Sequence, residues 1–164
     1  MAKILAIDPG NEQTAYALYK GRDFIEYAIV ENDVVRHIIP QFNPDIVVIE
    51  RVECMGMAVG KSVFQTCEWI GRFIERAIQF TDAKVYTIGR RNVKMFMCGS
   101  MRAKDANIRQ SVMDRYGSTR QAALGTKKNP GPLYGASKDI WSAMAIAITT
   151  SESSSGLVEH AKTR

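Results

Sequence analysis

Ile4-Leu5-Ala6-Ile7-Asp8-Pro9-Gly10 is an unbroken apolar run that ends on a carboxylate and turns at once. Ile46-Val47-Val48-Ile49-Glu50 ends the same way. Runs that are apolar on both faces suit strands buried between two helical layers, and Pro-Gly is a strand stop. A carboxylate closing such a strand is costly to desolvate unless a cation or a donor meets it. Two of them in a small chain therefore point to a shared metal site. For Asp8 the competing reading is a simple Asp-Pro-Gly turn.

Working outward, Lys3–Asp8 reads as a strand, followed by strands over Thr14–Tyr19 and Phe24–Val30 with Lys20-Gly21-Arg22-Asp23 turning between them. Asp33 caps a helix running to about Phe42, and Asn43-Pro44-Asp45 breaks it ahead of the strand that ends on Glu50. Val63, Phe64, Cys67, Ile70, Phe73, Ile74, Ala77 and Ile78 recur at helical spacing, predicting one long amphipathic helix over Met57–Phe80. Ala83–Ile88 is the fifth strand. Helices follow over Arg91–Met97 and Ala103–Tyr116, and Ser118–Gly135 reads as a mobile surface connection rich in Gly, Pro, Lys and Thr. Ser137 caps a last helix with an apolar face of Ile140, Trp141, Met144, Ala145 and Ile148. This order predicts an α/β fold: a five-stranded mixed sheet, built from a three-strand meander plus parallel strands, with helices on both faces. Asp8 and Glu50 then lie at the carboxyl ends of adjacent strands, where open α/β sheets build their sites. One domain over residues 1–150 is expected, with 151–164, which begins Ser151-Glu152-Ser153-Ser154-Ser155-Gly156, as a flexible tail.

The 164 residues carry a net charge of +5, unevenly distributed. Between Gly89 and Lys128 stand ten Lys or Arg against two acids, Asp105 and Asp114, so this segment is +8 and the remainder −3. A one-sided field of this kind favours a polyanion, nucleic acid above all, over a neutral small molecule; a solvated basic face is the plainer alternative. Cys54, Cys67 and Cys98 match no metal-binding spacing and read as reduced thiols. No apolar stretch approaches the roughly 20 residues of a membrane span, and Met1-Ala2-Lys3 opens no signal pattern, so a cytoplasmic protein with no membrane partner is expected.

Asp139, in Ser137-Lys138-Asp139-Ile140-Trp141, starts the last helix and can complete a carboxylate cluster with Asp8 and Glu50. An acid at that point also simply serves the helix dipole. Three oxygen donors of this kind suit Mg²⁺, with Mn²⁺ as a substitute, and two such ions can drive phosphodiester hydrolysis.

Taken together, Ala6-Ile7-Asp8-Pro9-Gly10, Val48-Ile49-Glu50, Gly56-Met57-Ala58-Val59-Gly60, Trp69-Ile70-Gly71-Arg72-Phe73, Cys98-Gly99-Ser100, Ala103-Lys104-Asp105-Ala106-Asn107-Ile108-Arg109, Pro130-Gly131-Pro132-Leu133-Tyr134-Gly135 and Lys138-Asp139-Ile140-Trp141-Ser142-Ala143-Met144-Ala145 resemble the RuvC-type Holliday junction resolvases, most closely their bacteriophage branch. The resemblance implies an RNase H-like fold and a homodimer that nicks two opposed strands of a four-way DNA junction. It also implies Mg²⁺ at two ions per site and no organic cofactor. By position it assigns Asp8, Glu50 and Asp139 as catalytic, metal-holding acids. The family's other helical acid falls at position 142, where this chain has Ser142, and Asp105 is a candidate substitute that could equally cap its helix. Lys61 corresponds to the region that enters the junction. Arg90, Arg91, Lys94, Arg102, Lys104, Arg109, Lys127 and Lys128 are the expected DNA-backbone contacts. Three rivals stand beside this reading. An actin-like or sugar-kinase ATPase shares the first-strand Asp and Gly but needs a second lobe that 164 residues do not hold. The others are a non-catalytic junction-binding protein and a nuclease for RNA–DNA hybrids or branched DNA in general.

Overall fold

A computed structural model describes residues 1–53, 56, 58–153 and 159–161. The elements are β1 (Lys3–Asp8), β2 (Gln13–Lys20), β3 (Asp23–Glu31), α1 (Asn32–Gln41), β4 (Ile46–Arg51), α2 (Lys61–Phe80), β5 (Lys84–Gly89), α3 (Arg90–Cys98), α4 (Asp105–Asp114), α5 (Arg120–Leu124), α6 (Ile140–Glu152) and β6 (Glu159–His160). They form one sheet in the order β3-β2-β1-β4-β5-β6. The meander β1-β2-β3 is antiparallel, while β4 runs parallel to both β1 and β5.

Alternation along the strands divides the core between two faces. Leu5, Ile7, Val47, Ile49 and Val85 pack with Val35 and Ile39 of α1 and Ile70, Phe73 and Ala77 of α2. Ile4, Ala6, Ala17, Val48 and Ile88 pack with Val93 of α3, Ile108 and Val112 of α4, and α6. In α6 every residue from Ile140 to Thr149 is buried. The Ala143, Ala145 and Ala147 methyls contribute to this all-round burial, and a fully buried Ile or Met side chain in such a helix contributes roughly 1.5–3 kcal/mol.

Four expectations are corrected. The sheet has six strands, not five: His160 and Glu159 pair antiparallel with Tyr86 and Thr87 on the outer edge of β5. His160 stacks on Tyr86 with ring centroids 4.3 Å apart, and Glu159 pairs with Arg51, so this part of the expected tail is docked on the sheet edge. A two-residue strand carries no periodicity to read. The long helix begins at Lys61, because Gly60 is its extended N-cap and residues 58–60 precede it; Met57 lies outside the described residues. The last helix begins at Ile140 with Asp139 as N-cap, and Ser137 contributes only its backbone carbonyl, accepting from Ile140 N at 3.0 Å. Finally, the 118–135 connection is anchored by α5, with Ala123 and Leu133 fully buried and the Tyr27 hydroxyl donating to the Tyr134 carbonyl at 2.6 Å.

Among the described residues, no helix is long and apolar enough to cross a membrane. Cys67 and Cys98 are free thiols, and Cys54 lies outside the described residues.

Candidate active site

Three parallel strands end together, and their carboxyl ends carry the charged groups. Ile7 of β1 is in register with Ile49 of β4, so Asp8 and Glu50 follow at the same level. Arg51 is in register with Gly89 of β5, which places Arg90, the first residue of α3, directly beyond that edge. The turn after Asp8 is held from below: Gly10 N donates to Thr14 Oγ1 (3.2 Å), Thr14 Oγ1 to Asn32 Oδ1 (2.6 Å), and Asn32 Nδ2 back to the Gly10 carbonyl (3.0 Å). Thr14 and Asn32 are both buried, so this closed ring of hydrogen bonds fixes where β1 delivers its carboxylate. Asp139 arrives from the opposite layer at the N-cap of α6, after Lys138, whose φ of 45° is an uncommon conformation for a residue with a side chain.

Asp8, Glu50 and Asp139 line one opening together with Pro9, Gly10, Gln13, Arg90 and Ser142. Two cavities flank it. One of about 270 Å³ is bordered by Asp8, Glu50, Glu53, Arg90, Arg91, Lys94 and Met101. The other, about 190 Å³, is bordered by Arg90, Asp105, Arg109, Lys138, Asp139 and Ser142. The sequence-predicted acids thus converge. Of the expected DNA-contacting residues, Arg90, Arg91, Lys94 and Arg109 border the cavities, while Lys61, Arg102, Lys104, Lys127 and Lys128 are exposed outside them.

The proximity of these groups shows in their electrostatics. Burial, then the neighbouring Glu50 charge, push the Asp8 carboxyl up to about 8; Asp139 adds to the rise, while Arg90 and the Ser142 hydroxyl oppose it. Glu50 is also raised, by burial first, with Glu53 and Asp105 adding to it and Arg90 opposing through its charge and hydrogen bond. Burial works against the Arg90 charge, but Glu50, Asp105 and Asp8 outweigh it and its pKa rises.

The sequence pattern assigns Arg90 to the DNA backbone; the fold sets it among the acids. Nη1 donates to Glu50 Oε2 (3.3 Å) and Ser142 Oγ (2.7 Å), and Nη2 to Asp105 Oδ1 (2.6 Å). Asp105 therefore anchors an arginine and does not cap α4, whose N-cap is Lys104. Glu53, which carries no motif in the sequence, accepts from Arg91 N at 3.3 Å; its only sequence signal is that it stands three residues beyond Glu50.

The donor set consists of carboxylate oxygens, the chemistry preferred by hard divalent ions, and burial raises the pKa of two of these acids, Asp8 and Glu50. Among the described residues, no three His, Cys, Asp or Glu side chains stand close enough together to enclose a metal ion as placed. The residues fit a divalent ion in chemistry, with Arg90 supplying part of the positive charge.

No family model matches the chain, and no curated protein is similar to it. Solved structures are. The structure of Thermus thermophilus RuvC aligns with a TM-score of 0.65 at 18% identity, covering 91% of this chain and 93% of that one. T. thermophilus RuvC in complex with Holliday junction substrate aligns at 0.68 and 19% identity, covering 92% and 93%. At these identities the likeness establishes the fold, and that fold is RuvC's.

Proposed function

We propose that this chain is a metal-dependent endonuclease for branched DNA, a crossover junction endodeoxyribonuclease of the bacteriophage type that resolves four-way junctions in the cytoplasm as a homodimer by paired nicks. The observation that carries the reading is the meeting of Asp8, Glu50 and Asp139 at one opening, at the carboxyl ends of adjacent parallel strands. The RuvC fold, one example of which is bound to a Holliday junction, and the +8 segment at 89–128 add support for a branched DNA substrate.

Asp8, Glu50 and Asp139 would hold a divalent ion, Mg²⁺ or Mn²⁺ in its place, which would supply Lewis acidity at the scissile phosphate and a lowered pKa for water beside it. The chain's own groups do the rest. Asp8, whose carboxyl pKa is raised, would have to release its proton to hold the ion, which would link loading to pH. Arg90 presents a permanent positive charge to phosphate oxygens at the same opening. Ser142 accepts from Arg90 and keeps it in line. Arg91, Lys94 and Arg109 border the flanking cavities and track the strand on either side, while Lys61, Arg102, Lys104, Lys127 and Lys128 engage the junction arms.

Cleavage of a synthetic four-way junction, a matched duplex and an RNA–DNA hybrid, each with Mg²⁺, tests this. Selective, symmetric cutting of the junction is expected. Junction binding without cutting of any substrate leaves the non-catalytic reading, and cutting of the hybrid first would reassign the substrate.

A further inference from the structure

The proposed site holds a charged group that ordinary carboxylate–metal chemistry does not require. Arg90 is clamped from three directions, by Glu50 of β4, Asp105 of α4 and Ser142 of α6. Its side chain is 27% exposed, against 81% for Asp105, so the guanidinium sits inward of its outer anchor. A planar fork with every contact made on the carboxylate side is a built feature, unlike a surface arginine that samples many rotamers.

We propose that Arg90 is a resident cation of the carboxylate site, taking the place of a second divalent ion, so that each chain loads a single ion. This rests on the metal-site reading above and narrows it from the two ions expected from sequence to one. The charge count favours it. Asp8, Glu50 and Asp139 carry three negative charges when ionised, Arg90 removes one, and one divalent ion balances the remainder. A second ion would leave these groups net positive beside a guanidinium that cannot lose its proton. Asp105 is mostly in water, so its charge is screened, and one of its oxygens is already committed to Arg90, while Glu53 borders the flanking cavity with Arg91 and Lys94 and does not line the opening itself. The donor supply agrees. Glu50 Oε2 is shared with Arg90, and Ser142 offers a neutral oxygen that already accepts from Nη1. Hard divalent ions of the Mg²⁺ type take six oxygen ligands each, and three carboxylates partly spoken for serve one such shell better than two.

The test is Mn²⁺ binding by the full chain, read as the number of ions bound and the electron paramagnetic resonance spectrum, with and without nicked junction product. The wild type is expected to bind one Mn²⁺ per chain with no spin-coupled pair in either state. Arg90→Met, which removes the charge, is expected to bind Mn²⁺ about tenfold more tightly or to admit a second, spin-coupled ion. Arg90→Lys, which keeps the charge, is expected to return to one ion, a rescue that a purely structural role would not produce. A spin-coupled pair in the wild type overturns the inference while leaving the metal-nuclease reading intact. So does an Arg90→Met protein, folded by circular dichroism, that binds the same number of ions with the same affinity. No binding by any of the three proteins removes the metal reading and this inference with it. The wild-type count decides even if Arg90→Met does not fold.

Discussion

Replacing Asp8 by Asn should stabilise the metal-free protein at pH 8 and do so much less at pH 5. In the folded chain the Asp8 carboxyl is pushed up to about 8 from an ordinary 3.8, by burial first and then by Glu50. A raised carboxyl pKa means the folded state holds its proton where the unfolded state has released it. Stability is therefore intact below about pH 4 and is lost progressively as pH rises toward 8. Over that interval the ceiling on the loss is about 5 kcal/mol. Water in the open pocket relieves the ionised group, so about 1–2 kcal/mol is the expected gain for Asp8→Asn at pH 8. For a chain of this size that is about 3–6 °C in Tm. Thermal and urea melts of wild type and Asp8→Asn, in chelator at pH 5 and pH 8, give the difference directly. An Asn variant destabilised equally at both pH values would refute the reasoning, since Asp8 would then be a favourable structural acid rather than an anion forced into a cluster.

Other outcomes follow from the same geometry. Asp139→Asn should reduce junction cleavage by about a hundredfold or more while leaving junction affinity nearly unchanged, as seen by single-turnover cutting beside a gel-shift titration. Mn²⁺ affinity, measured calorimetrically, should weaken by up to about tenfold per pH unit below pH 8, because the ion must displace the Asp8 proton. Leu133→Ala should cost about 2–5 kcal/mol in a denaturant titration, because Leu133 is fully buried under the 118–135 segment; a loss below about 0.5 kcal/mol would show that segment to be loosely attached. Lys127→Gln with Lys128→Gln should weaken junction binding and flatten its salt dependence by about one unit of log–log slope for each phosphate that a lysine no longer neutralises, read from gel shifts across a salt series.

Much of the sheet could be read in advance, because strands buried on both faces leave continuous apolar runs and Asp8 and Glu50 stand out at their ends. The meander was readable from its turn at Gly21 and the paired strands around it. What escaped was short, or depended on tertiary neighbours. β6 is two residues long, and its pairing depends on the exposed edge of β5 and on Arg51 meeting Glu159. The 118–135 segment has loop composition, yet it is held by two isolated apolar residues, Ala123 and Leu133, with no periodicity between them. Arg90 is the instructive case. In sequence it is one of ten basic residues in a basic segment. Only the register of β5 against β4, and the return of α6 with Ser142 rather than an acid, turns it inward onto the carboxylates. The position that reads as a missing acid is thus an arginine's hydrogen-bond partner.

The most direct measurement is strand-specific nicking of an end-labelled four-way junction by the purified chain with Mg²⁺, beside Asp8→Asn and a chelator control. Paired nicks in opposed strands by wild type, lost in both controls while junction binding persists, are the predicted result. A wild type that binds the junction and leaves it uncut, or an Asp8→Asn protein that cuts as well as wild type, would contradict the account.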